Sequence, residues 1–264
     1  MTLDDATRTE IADALREAHH TGVPIPRLSA TYPDMDVADA YRVQEIFIAR
    51  RLSEGATVKG YKVGLTSKAM QQMSGATEPD FSVMTNDMFR LESTPVERAS
   101  FIRPIVEMEI AFVLGAELKG PGVLPVDVIR ATDFVLPAIE IVDFRVELGP
   151  GFGIVDTIAD LAACGAAVLG ANPRRLDQID IRRVRGTLSK NGTVEQEGEA
   201  SAVLGNPVTA VAWLANKLAE FGISFAPGDV ILTGSFVRAV PVEAGDEIVC
   251  EFDQGLGRVD VSFT

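Results

Sequence analysis

The sequence predicts an α+β fold in which a β-rich core follows a helical N-terminal segment. Two observations support this prediction. Apolar residues recur at helical spacing near the N-terminus, over residues 4–20 and from residue 37. From residue 58 onward, short apolar runs alternate with turns that contain glycine and proline, as in a sheet. We therefore expect a helical segment over residues 1–56 and a β-rich domain over residues 57–264.

The N-terminal segment is predicted to contain two helices joined by a proline-rich loop. Residues 4–20 place apolar side chains at helical spacing among charged ones, which is typical of a surface helix. Asp36 is expected to cap the second helix, with Asp39 three residues on and apolar residues continuing at helical spacing.

The rest of the chain is predicted to form short strands and one further helix. Asn191-Gly192 between two strand-like runs is a strong hairpin signal. Asn206, followed by Pro207, is expected to cap a helix that ends before Gly222. The strand candidates are residues 58–65, 106–114, 134–146, 165–170, 182–189, 193–199, 230–233, 247–252 and 258–263.

The charge and hydropathy of the chain exclude several partners. The 264 residues carry a formal net charge of −14, and the pI is about 4.6. Such a surface repels nucleic acid and anionic lipid, so we expect neither as a partner. No apolar stretch reaches the roughly 18 residues that a membrane span needs, and no secretory leader is evident, which predicts a cytoplasmic protein.

Two carboxylates interrupt a run that otherwise has the pattern of a buried strand, residues 106–114. Side chains alternate along a strand, so Glu107 and Glu109 point to the same face, about 7 Å apart along the chain. Like charges on one half-buried face repel each other and lose hydration. The pair therefore predicts a divalent cation between the two side chains.

Glu140 is the best candidate for a third carboxylate, since it is again a lone acid in an apolar run. Three carboxylates suit Mg²⁺ or Mn²⁺, which keep waters that a substrate can displace. Zinc is disfavoured because no cysteine has a metal-binding spacing and the histidines, His19 and His20, are remote. The alternative is a set of ion pairs with core arginines such as Arg103 or Arg145.

Lys62 is the second unusual charge, since it stands in an apolar run between two glycines that share its face. Near a cation and apolar walls its pKa is expected to fall, which suits acid–base chemistry. Two other interpretations stay open, namely a lysine that reaches solvent from a strand end and a counter-ion to the glutamates. Asp80 is a second acid candidate, although its local sequence is also typical of a turn cap.

These motifs, taken together, resemble those of a known enzyme family. The chain resembles the bacterial 2-hydroxydienoate hydratases and 2-oxo-3-enedioate decarboxylases of aromatic meta-cleavage catabolism, which belong to the fumarylacetoacetase-like superfamily. The resemblance spans nearly the whole chain. The matching segments are Tyr32-Pro33, Asp39–Gln44, Tyr61–Gln71, Pro79–Phe81, Asp87-Met88, Glu107–Val113, Pro137–Asp143, Asp156–Asp160 and Gly234–Phe236.

The resemblance implies a fold, a site and an assembly. The fold is a mixed β-roll with helices outside it and a helical N-terminal segment, which makes residues 57–264 the catalytic domain. Glu107, Glu109 and Glu140 are the implied ligands of Mg²⁺ or Mn²⁺. Lys62 is the implied active-site lysine and Asp80 an acid near the substrate. Members of the family are usually homo-oligomers, and their hydratases and decarboxylases associate with one another.

The function expected from the site and the resemblance is a hydratase, a lyase that converts a 2-hydroxy-2,4-dienoate into a 4-hydroxy-2-oxo acid. The 2-oxo acid would chelate the metal, which would stabilise the enolate. Because loss of CO₂ uses the same electron sink, a decarboxylase of the 4-oxalocrotonate type is the first alternative. A non-catalytic partner subunit is the second. An acylpyruvate hydrolase is the third. That chemistry normally needs a histidine base, and His19 and His20 both lie in the helical N-terminal segment.

Two residues depart from the pattern of many relatives and bear on the substrate. Phe144 stands where many relatives have a small residue. Leu161 stands where many have an asparagine, and leucine lacks the donors and acceptors of the amide. Candidates for binding a second, distal carboxylate of the substrate are Arg27, Arg145 and Arg238.

Overall fold

The structure is a computed structural model that describes residues 2–67, 71–72, 75–92 and 94–264. Lys68, Ala69 and Met70, which belong to the longest of the motifs above, lie outside the described residues. No helix within the described ranges combines the length and the apolar character that crossing a membrane requires.

The N-terminal segment forms helices at both predicted places, and the predicted cap at Asp36 is confirmed, while Asp4 caps the first helix without having been predicted to. The Asp4 carboxylate accepts the backbone N–H of Thr7 at 2.8 Å, and the Asp36 carboxylate accepts that of Asp39 at 2.8 Å. Gly22 ends the first helix with a φ of 70°. The helices are α1 (Asp5–Thr21), the short α2 (Leu28–Thr31) and α3 (Val37–Ser53).

A buried ion pair joins α1 to α3. Arg8 Nε donates to Asp39 Oδ1 at 2.9 Å, and Asp39 is fully buried. The backbone N–H and the hydroxyl of Thr2 donate to the other oxygen of the same carboxylate, at 2.8 and 2.9 Å. Burial raises the pKa of Asp39, but the hydrogen bonds from Thr2 and Arg8 outweigh it and hold that pKa well below its usual value.

The described part of the remaining chain contains twelve strands and three more helices. The strands are β1 (Val58–Gly64), β2 (Asp80–Thr85), β3 (Phe89–Arg90), β4 (Ile105–Leu114), β5 (Thr132–Val142), β6 (Cys164–Leu169), β7 (Arg185–Lys190), β8 (Thr193–Glu199), β9 (Val230–Leu232), β10 (Val240–Pro241), β11 (Glu247–Phe252) and β12 (Gly257–Ser262). The helices are α4 (Pro125–Ala131), α5 (Ile154–Ala159) and α6 (Pro207–Ala219).

The strands form two sheets that pack on each other. The large sheet has the order β2-β1-β9-β4-β5-β6-β3, with β10 also paired to β4, and the small sheet has the order β12-β11-β7-β8. Met108 of β4 approaches Gly186 of β7, since a Cβ on that glycine would stand 2.8 Å from the methionine sulfur. The small sheet therefore covers the face of β4 opposite the one that carries Glu107 and Glu109.

Two predicted strands differ from the structure by more than one residue at an end. The run 134–146 stops as a strand at Val142, because the Asp143 carboxylate there accepts the backbone N–H groups of Ile102 and Arg103, at 3.0 and 2.7 Å. The run 182–189 starts as a strand only at Arg185, because residues 181–183 form a 3₁₀ turn.

Candidate active site

Two adjacent strands bring the three predicted glutamates to one face of the large sheet. Glu107 of β4 lies directly opposite Glu140 of β5 in the antiparallel register. Glu109 is two residues further along β4, so it projects to the same side. Ligand atoms of all three side chains lie within 4.8 Å of one another.

Lys62 and Asp80 reach the same face from the neighbouring strands. Lys62 of β1 lies opposite Leu232 of β9, which in turn lies opposite Ala111 on the glutamate face of β4. Asp80 of β2 lies opposite Gly64, two residues after Lys62. Residues paired across strands project to the same side, so the sheet gathers all five predicted site residues.

The glutamate cluster has the properties of a cation site. Glu109 and Glu140 are fully buried, while Glu107 is partly exposed. Within the described part of the chain, Glu109 Oε1 and both carboxylate oxygens of Glu140 accept no hydrogen bond. Buried carboxylate oxygens that accept no hydrogen bond are costly, and a hard cation would satisfy them together with the Lys62 ammonium, which lies 3.2 Å from Glu140 Oε1. The donor set, three carboxylates with one partly open side, therefore fits a divalent metal ion.

The raised pKa values of two glutamates in the cluster also indicate a cation site. Burial, followed by the charge of Glu140, raises the pKa of Glu107 to about 7. Burial and the charges of Glu140 and Glu107 raise the pKa of Glu109 well above its ordinary value. Two neighbouring carboxyl groups with such raised pKa values are both ionised at neutral pH only beside a strong positive charge.

Lys62 is a buried counter-ion of Glu140. The side chain is about 5% exposed, and Nζ lies 3.2 Å from Glu140 Oε1. Burial lowers the pKa of Lys62, but the carboxylates of Glu140 and Asp80 outweigh it and hold that pKa above its ordinary value. Of the interpretations left open by the sequence, the structure shows the counter-ion to the glutamates, because these acids approach Lys62 from other strands.

Asp80 is a buried acid, not a turn cap. Neither of its carboxylate oxygens accepts a hydrogen bond from the described residues, and burial raises its pKa to about 6 although Lys62 opposes the shift. Gly64 makes the room. A Cβ on that glycine would stand 2.2 Å from Asp80 Oδ1 and 3.3 Å from Lys62 Nζ. Any other residue at position 64 would displace the Asp80 carboxylate and crowd Lys62 Nζ.

Gly234 and Gln44 support the site, although neither was predicted to do so from sequence. The backbone N–H of Gly234 donates to Glu109 Oε2 at 2.8 Å and fixes that carboxylate. Gly234 has a φ of 97°, and a Cβ there would stand 2.4 Å from Thr66 Oγ1. Gln44 of α3 donates to the carbonyl of Phe81, beside Asp80, at 3.0 Å. The signals for Gln44 were its place as a polar residue on the apolar face of α3 and its position in the family-like segment Asp39–Gln44.

The candidate arginines do not pair with the glutamates. Arg145 is buried and pairs with Asp160, so it is also not free to bind a distal carboxylate of a substrate. Arg103 is exposed, and no ion pair is seen for it among the described residues. Arg27 and Arg238 remain candidates, the first partly exposed and the second exposed.

The two residues that depart from the family pattern lie in defined surroundings. Phe144 meets Phe152 edge to face, with ring centroids 5.9 Å apart. Leu161 is buried and has a φ of 54°. It begins a left-handed turn, residues 161–163, that leads into β6.

Comparison with known proteins identifies relatives along the whole chain. A family model described as fumarylacetoacetate (FAA) hydrolase C-terminal matches residues 57–263. A 2-oxo-hept-4-ene-1,7-dioate hydratase from Escherichia coli is 39% identical, over 98% of this chain and 99% of the relative. A 2-hydroxyhexa-2,4-dienoate hydratase from Comamonas testosteroni is 40% identical, over 95% of both chains.

A solved structure matches the fold over its full length. The 4-oxalocrotonate decarboxylase from Pseudomonas putida G7, complexed with magnesium and adipate, superposes with a TM-score of 0.95 and 35% identity, over 100% of this chain and 99% of that one. The match confirms the predicted fold, with N-terminal helices that precede the curled sheets. It also agrees with the divalent metal ion that the glutamates fit.

Proposed function

Because this chain belongs to the fumarylacetoacetate (FAA) hydrolase C-terminal family, we propose that it is a divalent-metal-dependent hydratase of aromatic meta-cleavage catabolism. It would add water to a 2-hydroxy-2,4-dienoate and release a 4-hydroxy-2-oxo acid. The observation that carries the proposal is the cluster of three glutamates beside Lys62, in which buried oxygens of Glu109 and Glu140 accept no hydrogen bond from the described residues. The full-length similarity to two hydratases supports this reaction.

We assign the metal to Glu107, Glu109 and Glu140, and Mg²⁺ or Mn²⁺ is the metal that such a set prefers. When bound, the ion would supply the positive charge against which a 2-oxo acid loses or gains a proton along its conjugated chain. Residues 57–264 would form the catalytic domain, with residues 1–56 as a helical segment that braces it.

Lys62 and Asp80 would handle the protons. Lys62 Nζ lies beside Glu140 and next to the space that Gly64 leaves, so it can hold a proton at the substrate's reacting end. Asp80 has a pKa of about 6 and exchanges a proton near neutral pH at little cost. Its buried carboxylate would orient the attacking water or return the proton to carbon.

Decarboxylation of a 2-oxo-3-enedioate is the second candidate function. Its specific support is the full-length match to a 4-oxalocrotonate decarboxylase, with a TM-score of 0.95. Both reactions need the same stabilised negative charge, so the glutamates do not distinguish them. A hydrolase has less support, because His19 and His20 line a separate cavity of about 310 Å³ between α1 and α3.

The assembly also belongs to the proposal. Leu124, Val126 and Ile129 expose apolar side chains on or beside α4, as expected if copies of this chain associate. Association with a homologous hydratase or decarboxylase is the heteromeric form of the same idea. A non-catalytic partner subunit would bind metal but turn over no substrate by itself.

Product analysis tests the proposed function. The purified chain is mixed with Mg²⁺ or Mn²⁺ and a 2-hydroxydienoate, either a monoacid or a diacid, and the products are followed by NMR. We expect a 4-hydroxy-2-oxo acid, loss of activity with a chelator, and loss in Glu109→Gln but not in the exposed control Glu195→Gln. Release of CO₂ without a hydrated product would favour the decarboxylase. No turnover by metal-loaded protein would favour the partner subunit.

A further inference from the structure

The left-handed turn, residues 161–163, has a backbone that needs support. Leu161, Ala162 and Ala163 have φ angles of 54°, 49° and 57°. L-residues avoid this region because Cβ crowds the following carbonyl oxygen, and consecutive examples are rare. Glycine would relieve the crowding, but the turn contains none. The surrounding structure must therefore hold it in place.

Hydrogen bonds of Arg145 and Asp160 hold both ends of the turn. The backbone N–H of Arg145 donates to Asp160 Oδ2 at 2.7 Å, and Arg145 Nε donates to Asp160 Oδ1. Arg145 Nη2 donates to the carbonyl oxygens of Asp160 and Cys164, at 2.9 and 3.0 Å. Asp160 stands directly before the turn and Cys164 directly after it. Both Arg145 and Asp160 are almost completely buried, with 2% and 1% of their surface exposed.

The left-handed turn bridges the two strands that carry Asp80 and Glu140. On one side, the backbone N–H of Asp143, just past the end of β5, donates to the carbonyl of Ala163 at 2.9 Å. On the other side, the turn packs against β2, which begins at Asp80. Gln44 of α3 fastens this side by donating to the carbonyl of Ile158, near the end of α5, at 2.8 Å.

We propose that Arg145 and Asp160 are positioning residues of the active site. By holding the left-handed turn, they fix the separation of Asp80 on β2 and Glu140 on β5. They touch neither the substrate nor the metal, and their effect passes through the turn. The inference rests on the proposed function, because it gives the two strands a shared reaction to serve.

Rescue by glycine tests the proposal. Arg145→Lys keeps the positive charge but cannot donate to all these acceptors at once, and we expect kcat to fall by about ten- to a hundredfold with little change in KM. Adding Ala162→Gly lets that residue keep a positive φ without steric cost, so it should restore most of the lost kcat. Ala226→Gly, at an exposed position with ordinary φ, is the matched control and should restore nothing.

A second variant and a second measurement keep the test decisive. If Arg145→Lys does not fold, Asp160→Asn, which preserves the shape of the side chain, takes its place. It is then combined with Ala162→Gly and with Ala226→Gly in the same way. Mn²⁺ affinity is measured for each variant by electron paramagnetic resonance, and we expect it to weaken and to recover in parallel with kcat. A lower Tm with unchanged kcat and Mn²⁺ affinity, or a double variant that regains Tm alone, would overturn the proposal. If the wild type turns over no substrate, the proposed function fails, while Mn²⁺ affinity still tests the positioning role.

Discussion

Buried charge sets the chemistry at the scale of single residues. Glu107 and Glu109 could be recognised from sequence, because two acids at spacing two in an apolar run repel each other unless a cation lies between them. The environment of Lys62 could not, since Glu140 and Asp80 approach it from strands that are distant in sequence. The local sequence around Lys62 therefore shows its apolar walls but not these two acids, which act on its pKa in the opposite direction to burial.

Replacement of Lys62 should separate metal binding from catalysis. In Lys62→Met, the positive charge beside Glu140 is lost, so Mn²⁺ should bind several-fold more tightly. The proton carrier is lost too, and kcat should fall by about 10²- to 10⁴-fold. Calorimetry with Mn²⁺ and steady-state kinetics measure the two effects. Weaker Mn²⁺ binding together with unchanged kcat would show that Lys62 is only a structural counter-ion. Lys59→Met, an exposed lysine on the same strand, is the control.

At the scale of elements, the register between strands decides which side chains meet, and sequence patterns do not predict that register. Alternation predicts which side chains of one strand share a face, but not which residue of another strand lies opposite. Glu107 meets Glu140 because β4 and β5 pair in one particular register. The end of β5 was likewise not predicted. The Asp143 carboxylate there accepts the backbone N–H groups of Ile102 and Arg103, which are distant in sequence.

The ion pair between α1 and α3 makes stability depend on pH. The pKa of Asp39 is held below its unfolded value, so its contribution is present above about pH 4 and is lost as pH falls toward its folded value. Asp39→Asn should lower Tm by roughly 4–8 °C at pH 7. The difference from wild type should shrink below pH 4, as seen in thermal melts by circular dichroism. A difference that stays constant with pH would contradict this role. Asp34→Asn, at an exposed position, is the control.

For the whole molecule, the sequence predicts the fold class and most elements but not how they close around the site. The helical N-terminus, the cap at Asp36, the hairpin at Asn191-Gly192 and the last helix are all found where local signals place them. The pairing of Arg145 with Asp160 and the left-handed turn beside it could not be predicted, since both depend on contacts between distant segments.

The central claim is that three glutamates of one sheet face hold a divalent metal ion. Anomalous X-ray diffraction from crystals grown with Mn²⁺ tests it most directly. We expect one strong peak about 2.0–2.2 Å from a carboxylate oxygen of each of Glu107, Glu109 and Glu140, and no such peak in Glu109→Gln crystals. A manganese peak elsewhere with this cluster empty, or ion pairs occupying all three carboxylates, would contradict the account.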